Sequence, residues 1–260
     1  MQSGTNVPPL FVTGSSIYMG YNAGALDDGS NNRNIGIGDN ALDAATTAQL
    51  NVAIGHDCLS GVVSGNYNVA MGFESLKATT GGQNVAIGYN VLEGNGAGSN
   101  NVAMGYSAMN TNEGGNYNTA VGYSAIGQNT SGDYNVAIGL QALGANTTGD
   151  DNIAIGQHAL KGTITRGRNV AIGSEALRHV ADGGNGYNLT AVGWNAGKSH
   201  PGGNLITASY GVFLGHTTKA KENNSVNEIV IGSQLTGHGS NTATIGDGSL
   251  TDVYFSSGST

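Results

Sequence analysis

A short apolar phrase recurs along the chain at a nearly fixed interval. Its cleanest copy is Asn84–Gly88, which reads Asn-Val-Ala-Ile-Gly, and a second apolar pair, Val91 and Leu92, follows the closing glycine. Self-similarity at a short fixed period is typical of a solenoid. Successive closing glycines are 17 residues apart, with one interval of 16, at Gly38, Gly55, Gly72, Gly88, Gly105, Gly122, Gly139, Gly156 and Gly173.

This pattern predicts strands rather than helices. The apolar pairs do not recur at three and four residues, and β-branched residues are dense where glycine is also dense. We therefore predict an all-β fold, a parallel β-roll or β-solenoid in which about 17 residues form two short strands and two turns of one flattened coil. Because side chains alternate along a strand, we assign the bulky Val85 and Ile87 to the interior of the coil. The small Ala86 and Gly88 then form a face that another surface can approach closely.

The asparagine that opens each phrase has two interpretations. The first is a ladder of side-chain amides that bond along the stack or cap a turn, as asparagines in turns commonly do. The second is a row that binds a ligand. No neighbouring residue pattern supports the second interpretation.

Departures from the repeat divide the chain into three segments. We interpret residues 1–16 as an N-terminal attachment or capping segment, residues 17–222 as the solenoid body and residues 223–260 as a C-terminal cap or stalk of shorter repeats. Terminal repeats often depart from the consensus because they cap the stack. Extra residues at Lys198–Gly203 lengthen one interval, and we expect them to loop outward.

Composition bears on the thickness of the core and on the partners. Charged residues make up only 10% of the chain, against about 25% in a typical globular domain, and 45 of the 260 residues are glycine. A coil needs only a thin core repeated many times. The net charge is −8 and we identify no basic patch, so no nucleic acid is expected as a partner. No stretch is apolar for long enough to insert into a membrane.

The repeated phrase resembles the Ser-Val-Ala-Ile-Gly phrase of trimeric autotransporter adhesin heads. The longer form, Asn-Val-Ala-Ile-Gly-Tyr-x-Ala-Leu followed by Asn-Thr-x-Gly-x-x-Asn, resembles bacteriophage tail-fibre and tailspike proteins, as does the stretch from Asn227–Gly232 to Thr251–Tyr254. The resemblance implies parallel β-rolls that lie three side by side about one axis, a homotrimer. Physical reasoning also favours a homotrimer, because a thin coil has little core of its own and a closed assembly buries more surface.

The sequence offers no convincing catalytic or metal site. Cleavage of a polysaccharide needs two carboxylates within about 5–10 Å, and the adjacent Asp150 and Asp151 are expected to be solvated in a turn. The histidines lack a tight metal-ligand spacing, and no glycine-rich loop precedes a helix. We therefore predict that the protein is not an enzyme and has no catalytic residue, metal ligand or cofactor. The single Cys58 replaces an alanine of the second apolar pair and is expected to be a buried small hydrophobe.

Aromatic residues form two rows at fixed positions of the repeat, and these are the candidate binding residues. One interpretation is that they cover the corners of the coil, since aromatic pairs stabilise sheets. The other is a sugar-binding face, because flat rings pack on the apolar faces of sugars. The first row follows the closing glycine and includes Tyr89, Tyr106, Tyr123 and Trp194, and the second precedes the asparagine and comprises Tyr67, Tyr117, Tyr134 and Tyr187.

These observations lead to one main functional hypothesis. We expect a structural and receptor-binding segment of a trimeric phage or phage-like tail fibre that attaches to a host cell-surface glycan or protein receptor. Its other partner would be the rest of the fibre or the baseplate, and its location a virion tail fibre or other extracellular surface appendage. The alternatives are a bacterial adhesin head of the trimeric autotransporter type, an ice-binding solenoid and a polysaccharide depolymerase.

Overall fold

The computed structural model describes residues 10–62, 64–180, 188–198, 209–247 and 249–250. All regular elements in these ranges are β-strands, and none is a helix. The strands are β1 Leu10–Thr13, β2 Ser16–Met19, β3 Ile35–Ile37, β4 Val52–Ile54, β5 Val69–Met71, β6 Val85–Ile87, β7 Val102–Met104, β8 Thr111–Asn112, β9 Thr119–Val121, β10 Gln128–Asn129, β11 Val136–Ile138, β12 Ile153–Ile155, β13 Val170–Ile172, β14 Thr190–Val192, β15 Val212–Leu214, β16 Ile229–Ile231 and β17 Ala243–Ile245.

Each repeat contributes one strand to a single 15-stranded sheet. β1 pairs antiparallel with β2, and from β2 onward neighbouring strands are parallel and follow the order of the chain. The short β8 and β10 pair with each other in a separate parallel sheet. The register advances by one repeat per strand, so that Ala137 lies opposite Ala154. The predicted parallel β-solenoid with turns of about 17 residues is therefore confirmed.

The second apolar pair of each repeat forms a tight turn, and the predicted second strand follows it in two of the described repeats, as β8 and β10. In the repeat after β11, Gln141 and Leu143 adopt left-handed backbone conformations, with φ of 50° and 52°. Left-handed residues bend the chain and cannot belong to an extended strand. A bulky residue rarely takes this conformation, and here the burial of Leu143 inside the coil compensates for its cost.

The assignment of strand faces made from the sequence is wrong. Ala86 is fully buried, whereas Val85 and Ile87 on the same strand are only half-buried and point out of the coil. In the regular body the leucine of each turn already fills the interior, so that alanine fits beneath the strand. Tyr18, Phe213 and Val230 occupy the same buried position in outer turns. The inward alanine recurs from β4 to β14, as Ala53, Ala70, Ala103, Ala120, Ala137, Ala154, Ala171 and Ala191.

The glycine that closes each phrase permits close approach between turns of one coil rather than between chains. Gly139 has a φ of 133°, and a Cβ atom added there would lie 2.7 Å from the carbonyl carbon of Gly156 in the next turn. A side chain would therefore collide with the neighbouring backbone, in a conformation that residues other than glycine rarely adopt. The small Ala and Gly face expected at an interface is instead part of the internal stacking.

Two ladders of buried asparagines run along the coil, which confirms the first interpretation of the recurrent asparagine. In the longer ladder, each side-chain oxygen accepts a hydrogen bond from the backbone N–H of the asparagine in the next turn, as between Asn34 and Asn51 at 3.0 Å. Its members are Asn34, Asn51, Asn68, Asn84, Asn101, Asn118, Asn135, Asn152 and Asn169. The shorter ladder consists of Asn95, Asn112, Asn129 and Asn146.

Candidate functional site

The outward side of the sheet carries two columns of half-exposed apolar side chains, which we call the aliphatic stripe. Ile138 is 40% exposed, and Met104 and Ile172 are similar. Thr119 and Thr190 interrupt the first column. The first column is Ile17, Ile35, Val52, Val69, Val85, Val102, Thr119, Val136, Ile153, Val170, Thr190, Val212, Ile229 and Ala243, and the second is Met19, Ile37, Ile54, Met71, Ile87, Met104, Val121, Ile138, Ile155, Ile172, Val192, Leu214, Ile231 and Ile245.

The aliphatic stripe is larger than the apolar patches of ordinary monomers. Fifteen strands at about 4.8 Å make the sheet roughly 70 Å long, and two columns make the stripe about 12 Å wide. The stripe thus covers on the order of 800 Å², whereas the largest apolar patch of a typical monomer covers about 300–600 Å². A patch of this size with polar turns on both sides is typical of an interaction surface.

The first aromatic row forms a continuous stack, which we call the aromatic ladder. It contains His56, Phe73, Tyr89, Tyr106 and Tyr123, whose successive ring centroids are 5.1–5.2 Å apart. Neighbouring rings lie within 8° of parallel. The structure therefore brings together the predicted Tyr89, Tyr106 and Tyr123. His56 and Phe73 occupy the same position of the repeat and extend the stack.

The second aromatic row is only partly assembled. Tyr117 and Tyr134 stack with centroids 5.0 Å apart and an angle of 2° between the rings. Tyr67 is exposed and lies several turns away, because Gln83 and Asn100 occupy the intervening positions of the row. The remaining predicted member, Tyr187, lies outside the described residues, as do residues 199–203 of the expected loop at Lys198–Gly203.

Stacking within the aromatic ladder changes what the ladder can bind. A sugar packs on the face of an aromatic ring. In the ladder, both faces of Phe73, Tyr89 and Tyr106 are covered by neighbouring rings, so that these residues present their edges to solvent. The ladder therefore covers a corner of the coil over five consecutive turns. A sugar platform needs a ring with an uncovered face.

Trp194 has such a face. Its indole stacks on His216 in the following turn, with centroids 4.9 Å apart and 12° between the rings. The equivalent position of the preceding turn holds Ser174, and no aromatic ring among the described residues stacks on the opposite face of the indole. Trp194 is 52% exposed. Tyr117, Tyr123 and Tyr134 are also stacked on one side only, and among these residues Trp194 has the largest ring.

A cluster of charged groups lies in the turns beside Trp194. Glu175 accepts a hydrogen bond from Arg178 at 2.6 Å and another from Lys198 of the following turn. Lys161, at the same position of the preceding turn, donates to the neutral amide oxygen of Gln141 at 2.7 Å. Arg178 and Lys198 therefore share one carboxylate, and Lys161 on the preceding turn has a neutral partner.

The electrostatics of this cluster keep its histidines neutral. Burial lowers the pKa of His158, and the nearby charges of Lys161 and Arg178 lower it further. The pKa of His179 is lowered for the same reasons, burial first and Arg178 second. The pKa of Glu175 is lowered chiefly by its hydrogen bond from Lys198, so that the carboxylate stays ionised.

Acidic residues that the sequence scatters over several repeats line one open cleft of about 690 Å³ on the turn side. Asp43, Asp57 and Glu93 lie in it together with Lys77. Lys77 donates to Glu74 at 2.6 Å and lies 3.9 Å from Asp57, so that a cation already neutralises part of the cleft. Burial raises the pKa of Asp43.

The other predictions about reactive groups have clear outcomes within the described residues. Cys58 is buried as expected, its thiol donates to the Gly72 carbonyl at 2.7 Å, and burial raises its pKa to about 11. Asp151 is exposed, as expected, 4.0 Å from Arg168. Within the described ranges, no three His, Cys, Asp or Glu side chains come together as metal ligands. No helix among the described residues could cross a bilayer.

The cation cluster is the feature that the analysis of the sequence missed. Net charge and runs of charge do not reveal it, because Lys161, Arg178 and Lys198 are separated by 17 and 20 residues. Aligning the repeats on their closing glycines would reveal it, since each cation is the fifth residue after that glycine. Comparison of the chain with protein-family models, curated proteins and solved structures gave no match.

Proposed function

We propose that this chain is a structural and receptor-binding segment of a trimeric phage or phage-like tail fibre, without catalysis, that attaches to a host cell-surface glycan. The observation that carries the proposal is the aliphatic stripe along the outward side of the sheet. A rod with such a stripe has an apolar surface for assembly and leaves its turns free for recognition.

The size of the aliphatic stripe suits an assembly of copies. A stable protein–protein interface buries about 800 Å² on each partner. The aliphatic stripe has an area of about the same size. Burial of apolar surface contributes about 25 cal/mol per Å², so that covering even part of the stripe stabilises an assembly substantially. A partner must be equally long, straight and repetitive, and a second copy of the chain meets that condition.

Three copies side by side are favoured by the resemblance to trimeric fibres and by the tendency of homo-oligomers to close symmetrically. In our proposal the aliphatic stripes face the common axis, and this replaces the Ala and Gly face expected from the sequence. The turns with the aromatic rows and the charged cluster then lie towards the outside of the rod, where a receptor can reach them.

The alternatives differ in what they require of the same surfaces. An adhesin head of the trimeric autotransporter type would use the aliphatic stripe in the same way. An ice-binding solenoid needs a flat face of regularly spaced threonines, but the outward columns hold only Thr119 and Thr190. A depolymerase would use the cleft that contains Asp43, Asp57 and Glu93, in which case release of reducing sugars from a polysaccharide would be detected.

A glycan array tests the attachment function. Labelled wild-type protein is expected to bind a subset of surface glycans, and an assembly-deficient variant is expected to bind the same glycans at least about tenfold more weakly, because linked sites act together. Ile138→Lys serves as that variant, and Ile164→Lys, which changes an exposed isoleucine outside the stripe, is its control. A wild-type protein that binds no glycan would contradict the proposal.

A further inference from the structure

The charge of this acidic chain is unevenly distributed along its length. Residues 152–221 contain seven lysines and arginines against two acidic residues, a net charge of +5. Residues 1–151 contain two lysines and arginines against eleven acidic residues, a net charge of −9. Residues 222–260 contain four acidic residues and no lysine or arginine, a net charge of −4. These three segments account for the net charge of −8. Since the chain coils in order, the rod has a basic band between two acidic stretches.

The structure aligns three cations of this band in one column. Lys161, Arg178 and Lys198 are each the fifth residue after a closing glycine. The turns that carry them stack directly, since Gly162 N–H donates to the Arg178 carbonyl at 3.0 Å and Leu177 N–H to the Ala196 carbonyl at 2.9 Å. Adjacent turns of a parallel stack are about 4.8 Å apart, so the column places three positive charges within roughly 10 Å.

The described part of the chain does not fully neutralise this column. Glu175 provides one negative charge for Arg178 and Lys198, and Lys161 has the neutral Gln141 as its partner. Like charges on neighbouring strands are destabilising. The arrangement therefore costs stability when nothing is bound, and a bound anion would relieve the repulsion.

The same position of the repeat behaves differently elsewhere in the coil. Lys77 occupies it in the acidic part, where Glu74 lies 2.6 Å away and Asp57 3.9 Å away. A lysine at this position is thus readily paired when the neighbouring turns supply carboxylates. The surplus of positive charge is a property of the turns around Arg178 rather than of the fold.

An aromatic platform lies in the same turn as one of the cations. Trp194 and Lys198 are four residues apart, and a hydrogen bond of 3.3 Å from Lys198 N–H to the Asn195 carbonyl keeps the turn tight. One face of the Trp194 ring covers His216, and the other points towards Ser174 in the turn that carries Arg178. Arg178 and Lys198 each keep 28% of their side chain exposed, so that a ligand can reach their charges.

We propose that the turns carrying Lys161, Arg178, Lys198 and Trp194 form a binding site for an anionic glycan. The cations pair with carboxylate, sulfate or phosphate groups of the polysaccharide, and the uncovered face of the indole packs on a sugar ring. This inference rests on the proposed attachment function and specifies its chemical class. A nucleic acid is less well matched, because single strands bind along extended grooves with several stacking platforms.

The test compares the binding of polygalacturonate, neutral dextran and a thymidine homopolymer to the full chain at fixed salt. Wild-type protein is expected to bind polygalacturonate and to bind dextran at least about tenfold more weakly. The variant with Lys161→Gln, Arg178→Gln and Lys198→Gln is expected to lose at least about tenfold in affinity, since each charge-assisted contact contributes strongly. Trp194→Ala is expected to lose about tenfold as well, the magnitude of one stacking contact.

Two further variants sharpen the test. Lys77→Gln makes the same chemical change at the same position of the repeat and is expected to leave the affinity unchanged. Glu175→Gln removes the carboxylate that pairs with Arg178 and Lys198 and is expected to tighten binding by roughly two- to fivefold, as its competition with the ligand ends. Circular dichroism identifies any variant that fails to fold, and in that case the single Lys161→Gln substitution replaces the triple one.

The outcomes separate this inference from the proposed function. Equal binding of dextran and polygalacturonate, unaffected by the triple substitution, would overturn the inference and leave glycan attachment intact. Binding of the thymidine homopolymer as tightly as polygalacturonate would identify a non-selective polyanion surface and would also overturn it. Failure to bind any glycan, here and on the array, would overturn both.

Discussion

Asn152 donates two hydrogen bonds to the side-chain oxygen of Asn135, one from its backbone N–H and one from its side-chain amide, both of 3.1 Å. Asn135 in turn donates its own amide to the carbonyl of Gly149 at 2.8 Å. All these groups are buried, so that each turn of the coil satisfies the polar groups of the next. The asparagine ladder thereby couples turns that share only a three-residue strand.

Substitution of Asn135 by alanine should therefore destabilise the coil. The change leaves the backbone N–H of Asn152 buried without a partner, whereas the Asn152 amide keeps the Arg166 carbonyl and the Gly149 carbonyl keeps the Asn146 amide. We expect the free energy of unfolding to fall by about 1–3 kcal/mol. Urea denaturation followed by circular dichroism measures this. Asn224→Ala, the same change at an exposed position, should cost less than about 0.5 kcal/mol. Equal stabilities of the two variants would contradict the structural role of the ladder.

Close stacking of the turns at Gly139 gives a second prediction. Gly139→Ala introduces a Cβ atom 2.7 Å from the backbone of Gly156, at a φ of 133°, and we expect a loss of roughly 2–4 kcal/mol. Gly114→Ala is the matched control, because its Cβ would lie 3.7 Å from the nearest atom and its φ is not positive. If the thermal unfolding midpoints of both variants equalled that of the wild type, the stacking described here would be wrong.

The aliphatic stripe predicts how assembly responds to charge. Ile138→Lys places an ammonium group in the middle of the stripe, and burying it between copies would cost several kcal/mol. We expect this variant to dissociate to a monomer of 26.1 kDa. Ile164 has nearly the same exposure, 42% against 40%, but lies in a turn, so that Ile164→Lys should assemble like the wild type. Analytical ultracentrifugation of both variants distinguishes a specific interface from general apolar association.

The neutral histidines of the basic band make stability depend on pH. Because the pKa of His158 and that of His179 are lowered in the folded state, the unfolded chain takes up protons first as the pH falls through about 6.5. The free energy of unfolding should therefore decrease from pH 7.5 to pH 5.5. Glu175, whose pKa is lowered, stays ionised throughout this window.

The control for this pH effect is the double variant His158→Gln and His179→Gln. Its urea midpoint should change less between pH 7.5 and pH 5.5 than that of the wild type, because the two groups that take up protons on unfolding are absent. An identical change in both proteins would show that these histidines do not contribute.

The repeat could be predicted from the sequence because its period fixes the register of the strands. The orientation of the strand could not, because alternation separates Val85 and Ile87 from Ala86 without saying which side faces the interior. An ordinary globular core would place the larger side chains inside. The coil reverses this because Leu92 and its equivalents fill the interior from the turns, and the asparagine ladder must be buried on the same side as Ala86.

The candidate site was predictable in part for a related reason. Tyr89, Tyr106 and Tyr123 fall at one position of the repeat, and their stacking follows from the period. Whether these rings cover each other's faces depends on their side-chain torsion angles, which the sequence does not specify. The pairing of Glu175 with Lys198 spans 23 residues because one interval is lengthened, so that it could not be located by counting along the regular repeat.

The mass of the wild-type chain in solution tests the central claim most directly. Size-exclusion chromatography with multi-angle light scattering, at low micromolar concentration, should give three times 26.1 kDa if the aliphatic stripes of three copies meet along one axis. A mass of 26.1 kDa would contradict the trimeric fibre and show that the aliphatic stripe serves a different partner.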